Sequence, residues 1–405
     1  MIDKIETKKI GAANRTAIVK VDKFVNDGFA IAYEEGDEKV IFVRYAIPNE
    51  EIKVKIYRET SSYSIADTIE VLKPSEKRIK PKCEYFGLCG GCDYQMLDYN
   101  DQIEVKKELL IETFLKIAKI DISSILDILK SPKPFNYRNT ETFKVNPRKH
   151  LIGFFRKDTK SVVDITHCDI AEQGINEALK SMRDFEEFPK HNFKVRTTNN
   201  KETSVHWVKS LYEDKSLIEK IKACGCEFSF KISKDSFFQI NNEVIPLWLE
   251  KITSFINIDK SERIYDLYSG IGLITLFIGH FANETIGIEI SNGSVKDANY
   301  NLKINNITDN IKFIEGDVAK KLNELEKADI VIIDPPRKGL DENSIDMLLN
   351  YAPKKIIYSS CKTTTLARDI ELFSNKYKLE KIVLVDMFPQ THHIECVALL
   401  KLKIN

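Results

Sequence analysis

Cys361 closes the run Ile357-Tyr358-Ser359-Ser360-Cys361 and is followed by Lys362-Thr363-Thr364-Thr365-Leu366-Ala367-Arg368-Asp369. A thiol in such a strand-to-helix turn has a helix N-terminus and Lys362 beside it, which favours the thiolate that a nucleophile needs. A single cysteine is by default a buried, inert side chain; what accompanies this one decides its reading. Asp334 stands in Ile333-Asp334-Pro335-Pro336-Arg337-Lys338-Gly339, where two prolines stiffen a loop that can present a carboxylate to a ligand. Glu395, in Asp386-Met387-Phe388-Pro389-Gln390-Thr391-His392-His393-Ile394-Glu395-Cys396, is flanked by apolar residues and is a candidate general base with a raised pKa. His392 and His393 are alternative bases or nucleic-acid contacts, and Cys396 reads as core.

A second set of residues fits a bound nucleoside. Ile264-Tyr265-Asp266-Leu267-Tyr268-Ser269-Gly270-Ile271-Gly272 is a strand ending in an acid, then a Gly-x-Gly turn whose glycines let the backbone approach a ligand. About 20 residues on, Glu289 ends a second strand, where a carboxylate accepts hydrogen bonds from two ribose hydroxyls. Asp317 follows the third strand in Glu315-Gly316-Asp317. A dinucleotide site would carry a third glycine at position 275, which is Thr, so the set fits S-adenosylmethionine better than NAD. With a methyl donor, the thiol and base acquire a purpose. Uracil C5 is a poor nucleophile until a thiolate adds at C6; the resulting enolate takes the methyl, a base removes the C5 proton, and the thiol is eliminated. An adenine-N6 reading of Asp-Pro-Pro falls because Arg337 replaces the aromatic residue that would stack on a flipped base.

Three further cysteines form Cys83-x5-Cys89-Gly90-Gly91-Cys92, and Cys168 follows Asp164-Ile165-Thr166-His167. Four thiolates hold either zinc or an iron-sulfur cluster, and the spacing alone does not choose. Cys224 and Cys226 lie outside that pattern.

The elements that must carry these groups are legible in outline. Residues 17 to 72 hold short β-branched runs separated by Asn26-Asp27-Gly28 and Pro48-Asn49-Glu50, which predicts a small β-barrel. Lys77-Arg78-Ile79-Lys80-Pro81-Lys82 reads either as an RNA-facing or as a solvated linker. Ile103, Leu109, Leu110, Phe114 and Ile117 sit at helical spacing, and a helix over about 93–120 should pack on the catalytic domain. The region from 122 to 235 yields no topology. From Glu262, strands at Arg263–Tyr268, Glu284–Ile290, Ile311–Glu315, Asp329–Asp334, Lys355–Ser359 and Lys381–Asp386 alternate with helices, predicting a doubly wound α/β sheet. The expected divisions are 1–72, 73–235 and 236–405. With 61 basic and 61 acidic side chains, composition does not announce a polyanion partner, so any nucleic-acid surface must be local. No apolar run of membrane length and no secretory leader is present, so a cytoplasmic location is expected, and eight cysteines then speak for thiol or metal chemistry over disulfides.

Together these motifs resemble the RNA uracil-C5 methyltransferase family, whose members make 5-methyluridine in 23S rRNA and tRNA. The resemblance spans nearly the whole chain: Phe237-Phe238-Gln239-Ile240-Asn241, Asp-Leu-Tyr-x-Gly-x-Gly, Asp-Pro-Pro-Arg-x-Gly, Ser-Cys before Thr-Leu-Ala-Arg-Asp, and Asp-Met-Phe-Pro-x-Thr-x-His-x-Glu, in that order. It implies Cys361 as nucleophile and Glu395 as base, and a cofactor site for S-adenosylmethionine at Gln239, Tyr268, Gly270, Gly272, Glu289, Asp317 and Asp334, with Gln239 and Asp334 also near the target base. It further implies a 4Fe-4S cluster on Cys83, Cys89, Cys92 and Cys168, an N-terminal OB-like barrel of the TRAM type for RNA, an α+β iron-sulfur central domain and a Rossmann-like methyltransferase domain. The barrel and cysteine motif tilt the implied substrate to 23S rRNA processing, with tRNA position 54 as the alternative and no protein partner implied. The chain departs from the family pattern at Lys362-Thr363, where Asn-Pro is frequent, and at Ser269, where Cys is frequent. A catalytically silent RNA-binding relative would have no need of both Cys361 and Glu395, and the RNA cytosine-C5 enzymes set their cysteine in a Thr-Cys or Pro-Cys context.

Overall fold

The computed structural model describes residues 14–207, 216–256 and 262–403; residues 1–13 of the predicted barrel domain lie outside it. Two compact units are present. The first comprises residues up to Leu109 with Phe155–Lys160 and Gln390–His392; the second comprises Leu110–Phe154, Ser161–Pro389 and His393 onward.

In the first unit, β1 (Arg15–Val25), β2 (Phe29–Glu34), β3 (Val40–Arg44), β4 (Glu51–Glu59) and β5 (Tyr63–Lys73) close a barrel in the order β1-β2-β3-β5-β4. Alternation builds it: Ile52, Val54 and Ile56 of β4 point inward, with Val19, Val21, Ala30, Ala32, Ile41 and Val43 completing the core. The turn after β1 places Asp27 and Gly28 at φ 66° and 77°, and a Cβ on Gly28 would stand 2.9 Å from Asp93 Oδ1, so only glycine fits. The basic stretch proves to be neither of the two expected linkers throughout. Arg78 donates from Nε and Nη2 to the buried Glu50 carboxylate at 2.5 and 2.7 Å, and Lys77 pairs with Asp101. Helix α1 (Tyr99–Ile117) starts here, with Val105 and Leu109 packed on Tyr94, Met96 and Leu97.

The second half of α1 belongs to the second unit, where Leu110 and Phe114 enter the main core. Strand β6 (Leu126–Leu129) follows. A five-stranded sheet of order β11-β10-β7-β8-β9 is then built from β7 (Thr140–Asn146), β8 (Leu151–Phe155), β9 (Val162–Asp164), β10 (Phe193–Thr197) and β11 (Thr203–Trp207), with α2 (Gln173–Arg183) inserted before β10. The hairpin β12 (Leu217–Ala223) and β13 (Cys226–Ile232) turns at Cys224 and Gly225, both at positive φ, so Cys224 lies in the turn and Cys226 opens β13. Helix α3 (Ile245–Thr253) leads to the α/β part: β14 (Arg263–Leu267), α4 (Leu273–Gly279), β15 (Glu284–Glu289), α5 (Asn292–Ile304), β16 (Ile311–Glu315), α6 (Val318–Leu322), β17 (Ile330–Ile333), α7 (Glu342–Tyr351), β18 (Lys355–Ser360), α8 (Thr363–Phe373), β19 (Tyr377–Val385) and β20 (Glu395–Leu402).

The sheet order is β16-β15-β14-β17-β18-β20-β19-β6. Strands β14 to β18 are parallel, and their apolar runs are buried on both faces: Tyr265, Leu267, Val331, Ile333 and Tyr358 on one, Ile264, Ile330, Ile332 and Ile357 on the other. All six predicted strands are present. Two were not foreseen: β20 returns antiparallel between β18 and β19, and β6 adds at the edge parallel to β19. Among the described residues no helix is long and apolar enough to cross a membrane.

Candidate active site

The carboxyl ends of β14, β15, β17 and β18 carry the chemistry, as the crossover geometry of a parallel sheet requires. After β14, Tyr268 adopts φ 65° and its N–H, with that of Ser269, donates to Ile288 O at 2.9 and 3.1 Å, pinning the turn to β15. Gly270 (φ 55°) donates its N–H to Glu289 Oε2 at 3.0 Å, and Ser291 N donates to Glu289 Oε1 at 2.7 Å. Gly272 (φ 88°) opens α4, and a Cβ there would lie 2.5 Å from the Phe313 ring. Thr275, where a dinucleotide fingerprint has glycine, donates its hydroxyl to Asp266 Oδ2 at 2.5 Å.

Asp266 is fully buried, and its pKa is pushed up to about 7 by burial, with Asp334 and Glu289 adding to the effect. Its Oδ1 and the Ser269 hydroxyl are buried without a hydrogen-bond partner. Orphaned polar atoms beside a left-handed glycine turn are the donor set a nucleoside cofactor would complete, so the residues present fit such a group. Asp317 caps α6 by accepting Lys320 N at 3.1 Å and is exposed. Gln239 is buried, its carbonyl accepting from Asn139 Nδ2 at 3.1 Å; two residues on, Asn241 Nδ2 donates to Met387 O at 3.2 Å. These bonds fix the Phe237–Asn241 segment against the residues that follow β19, while Phe237 itself is 72% exposed.

Around the thiol, three acids and bases converge. Ser359 of β18 donates its hydroxyl to Glu395 Oε1 at 3.0 Å. Glu395 is fully buried, and burial followed by the Asp334 charge raises it well above the usual carboxylate range. Asp334 rises to about 6 through burial. Two carboxyl groups so placed cannot both ionise cheaply, and one holds a proton. Cys361, half-buried, has its thiol pKa raised, first by burial and then by Glu395; the Arg337 charge opposes this. The expectation that a helix terminus and Lys362 lower the thiol is therefore reversed, because burial and the two carboxyl groups outweigh them.

Arg337 Nη2 stands 3.5 Å from both ring nitrogens of His393, whose ring meets Phe388 edge-on at 5.7 Å. Helix α8 holds the loop that carries Arg337. Arg368 Nη2 donates to Leu340 O at 2.9 Å, Leu340 N donates to Asp369 Oδ2 at 3.0 Å, and Tyr358 donates to the same oxygen at 2.6 Å. Cys396 is buried core, as expected.

Sequence reasoning thus placed Cys361, Glu395, Asp334, Tyr268, Gly270, Gly272 and Glu289 at one end of one sheet, and the structure brings them there. It passed over Ser359, which shows no sequence signal, and it noted Asp266 only as a strand-ending acid. A groove of about 1050 Å³ lined by Phe135, Asn176, Arg183 and Lys201 lies elsewhere in this unit and contains none of these residues.

The cysteine motif has a different outcome. Cys83, Cys89 and Cys92 lie in the first unit and Cys168 in the second. Each is half-buried, and among the described residues no group of three or more His, Cys, Asp or Glu side chains is gathered to hold a metal. No step of the chemistry is routed through a cluster.

Residues 207–403 match the model of the tRNA (uracil-5-)-methyltransferase family. An uncharacterized RNA methyltransferase of Aquifex aeolicus is 33% identical over 423 residues, covering 95% of this chain and 98% of that one. One from Fusobacterium nucleatum is 32% identical over 95% of this chain and 96% of its own. In fold, the chain is similar to the Pyrococcus abyssi tRNA (uracil-54, C5)-methyltransferase solved with S-adenosyl-L-homocysteine: TM-score 0.73, 24% identity, 94% of this chain and 99% of that one.

Proposed function

From the premise that the chain belongs to the S-adenosylmethionine-dependent RNA uracil-5 methyltransferase family, we propose that it methylates uridine C5 with Cys361 as nucleophile and Glu395 as base. S-adenosylmethionine supplies the electrophilic methyl. The turn Tyr268–Gly272 with Glu289 and Asp317 would hold its nucleoside part, and Gln239 and Asp334 would stand nearer the base. Cys361 gives its proton to solvent and adds to C6 of the uracil, moving the ring electrons to C5, which would bond the methyl carbon as that carbon's bond to the sulfonium sulfur breaks and S-adenosylhomocysteine departs. Glu395 then takes the C5 proton, the C5–C6 double bond re-forms and the Cys361 thiolate leaves. Arg337 stabilises the thiolate at both ends of this sequence. The observation that carries the reading is the pair of buried carboxyl groups, Asp334 and Glu395, beside the Cys361 thiol, with Ser359 donating to Glu395.

Cys361→Ala should abolish methyl transfer to RNA and leave S-adenosylmethionine affinity within about twofold, measured by radiolabel transfer and calorimetry. Appreciable turnover by that variant would sink the mechanism.

For substrate, the barrel and the cysteine motif favour a uridine of 23S rRNA, the barrel acting as an RNA-binding module ahead of a central and a catalytic domain. The end-to-end fold likeness to a tRNA enzyme favours tRNA position 54 as the second reading. Mass-spectrometric mapping of 5-methyluridine in both RNAs from a deletion strain separates them. A 4Fe-4S cluster on Cys83, Cys89, Cys92 and Cys168 is supported by the motif alone. Iron and sulfide analysis of protein purified without oxygen tests it, and their absence removes it from the reading.

A further inference from the structure

The stretch that carries Glu395 is tied down three residues before it, by groups that the reaction does not use. Gln390–His392 belongs to the first unit and is bonded there through both backbone and side-chain atoms. Asp93 N and Tyr94 N donate to Gln390 O at 2.8 and 3.1 Å. The Gln102 side chain of α1 makes a reciprocal pair with Gln390, its Nε2 donating to Gln390 Oε1 at 3.0 Å and its Oε1 accepting Gln390 N at 3.0 Å. His392 donates twice to Asp93 Oδ2, from its backbone N at 3.0 Å and from Nδ1 at 2.6 Å. Lys157 pairs with the other oxygen of Asp93. Gln390 is held at φ 67°, a left-handed conformation a β-carbon disfavours, which persists only where the surroundings over-determine it.

Packing alone does not call for this arrangement. Asp93 is a carboxylate only 3% exposed, and burying an ion pair is no more stabilising than filling the same space with apolar groups. What a buried, multiply bonded charge adds is a fixed register for the chain it holds. His392 and Glu395 are three residues apart, so at about 3.3–3.6 Å per residue any slip of the clamp reaches the carboxylate within roughly 10 Å of backbone.

From this we infer that Asp93 and His392 form a clamp that positions Glu395, acting on the proton-removal step and not on thiol attack. Asp93 directly follows Cys92 in the chain. The inference rests on the reading of Glu395 as the base.

The test separates the two chemical steps of the full-length enzyme. Transcripts of unmodified tRNA and 23S rRNA containing 5-fluorouridine trap the methylated covalent adduct, because fluorine cannot leave as a proton does; their adduct rate reports attack and methyl transfer. Uridine transcripts report complete turnover. His392→Ala should slow uridine turnover at least about tenfold through kcat, since displacements near 1 Å cost up to about 100-fold. Its adduct rate with fluorouridine RNA and its KM should stay within twofold, and a methylated enzyme-RNA adduct should accumulate on uridine RNA. His392→Asn, whose amide donates from nearly the position of Nδ1, should restore most of the turnover. Parallel loss in both arms, or no loss in the uridine arm, overturns the inference. A wild-type enzyme that forms no adduct with either RNA overturns instead the reading beneath it.

Discussion

At the scale of single residues, Cys361 and Glu395 are both biased toward their protonated forms. Burial raises Cys361, and burial with the neighbouring Asp334 raises Glu395, so each holds its proton more tightly than in water. A raised pKa keeps the inactive, protonated form populated to higher pH, so losing those protons should bring activity up with pH, never down. Single-turnover methyl transfer should climb with pH across the neutral range, as the raised Cys361 and Glu395 lose their protons. A flat or falling profile would contradict the assignment. Cys361, Asp334 and Glu395 were legible in the sequence because reactive residue types stood at strand ends, where a parallel sheet collects its site. The direction of the thiol shift was not legible. It depends on which carboxyl groups the fold sets beside Cys361, and Glu395 reaches it from a strand that begins 34 residues later in the chain.

At the scale of elements, α8 does more than follow Cys361. Through Arg368 and Asp369 it grips the loop Asp334–Leu340 and so sets where Arg337 meets the thiol. Gly339 makes the grip possible: it has φ 73°, and a Cβ would lie 2.7 Å from both Arg368 Nη2 and Asp369 Oδ2. Gly339→Ala should cost about 1–3 kcal/mol of stability in urea unfolding and slow adduct formation, because Arg337 loses its seat. Unchanged values on both measures would refute the role. The parallel strands were readable from β-branched runs alternating with helices. Strand β20 was not, since Cys396-Val397-Ala398-Leu399-Leu400 is equally apolar whichever way it runs. The four residues of β6 are too short a run to reveal an edge partner.

On the scale of the whole molecule, neither unit is one stretch of chain. The first needs residues 155–160 and 390–392 to complete what residues 14–109 begin. A fragment of residues 1–109 should therefore keep slow-exchanging amides in β1 to β5, while the amides of Asp93 and Tyr94, whose acceptor is Gln390, exchange freely in hydrogen-exchange experiments. Protection of those two amides in the fragment would show that the loop closes unaided. The sequence could not forecast this interleaving, because hydrogen bonds between residues so far apart leave no local pattern. It also has a consequence in time. Asp93 and His392 are 299 residues apart, and at roughly 5–20 residues per second a ribosome takes about 15–60 s to deliver the second after the first. Throughout that interval the loop that carries Asp93 and Tyr94 waits for Gln390 and His392, so each newly made copy completes this clamp only when its last residues have been delivered.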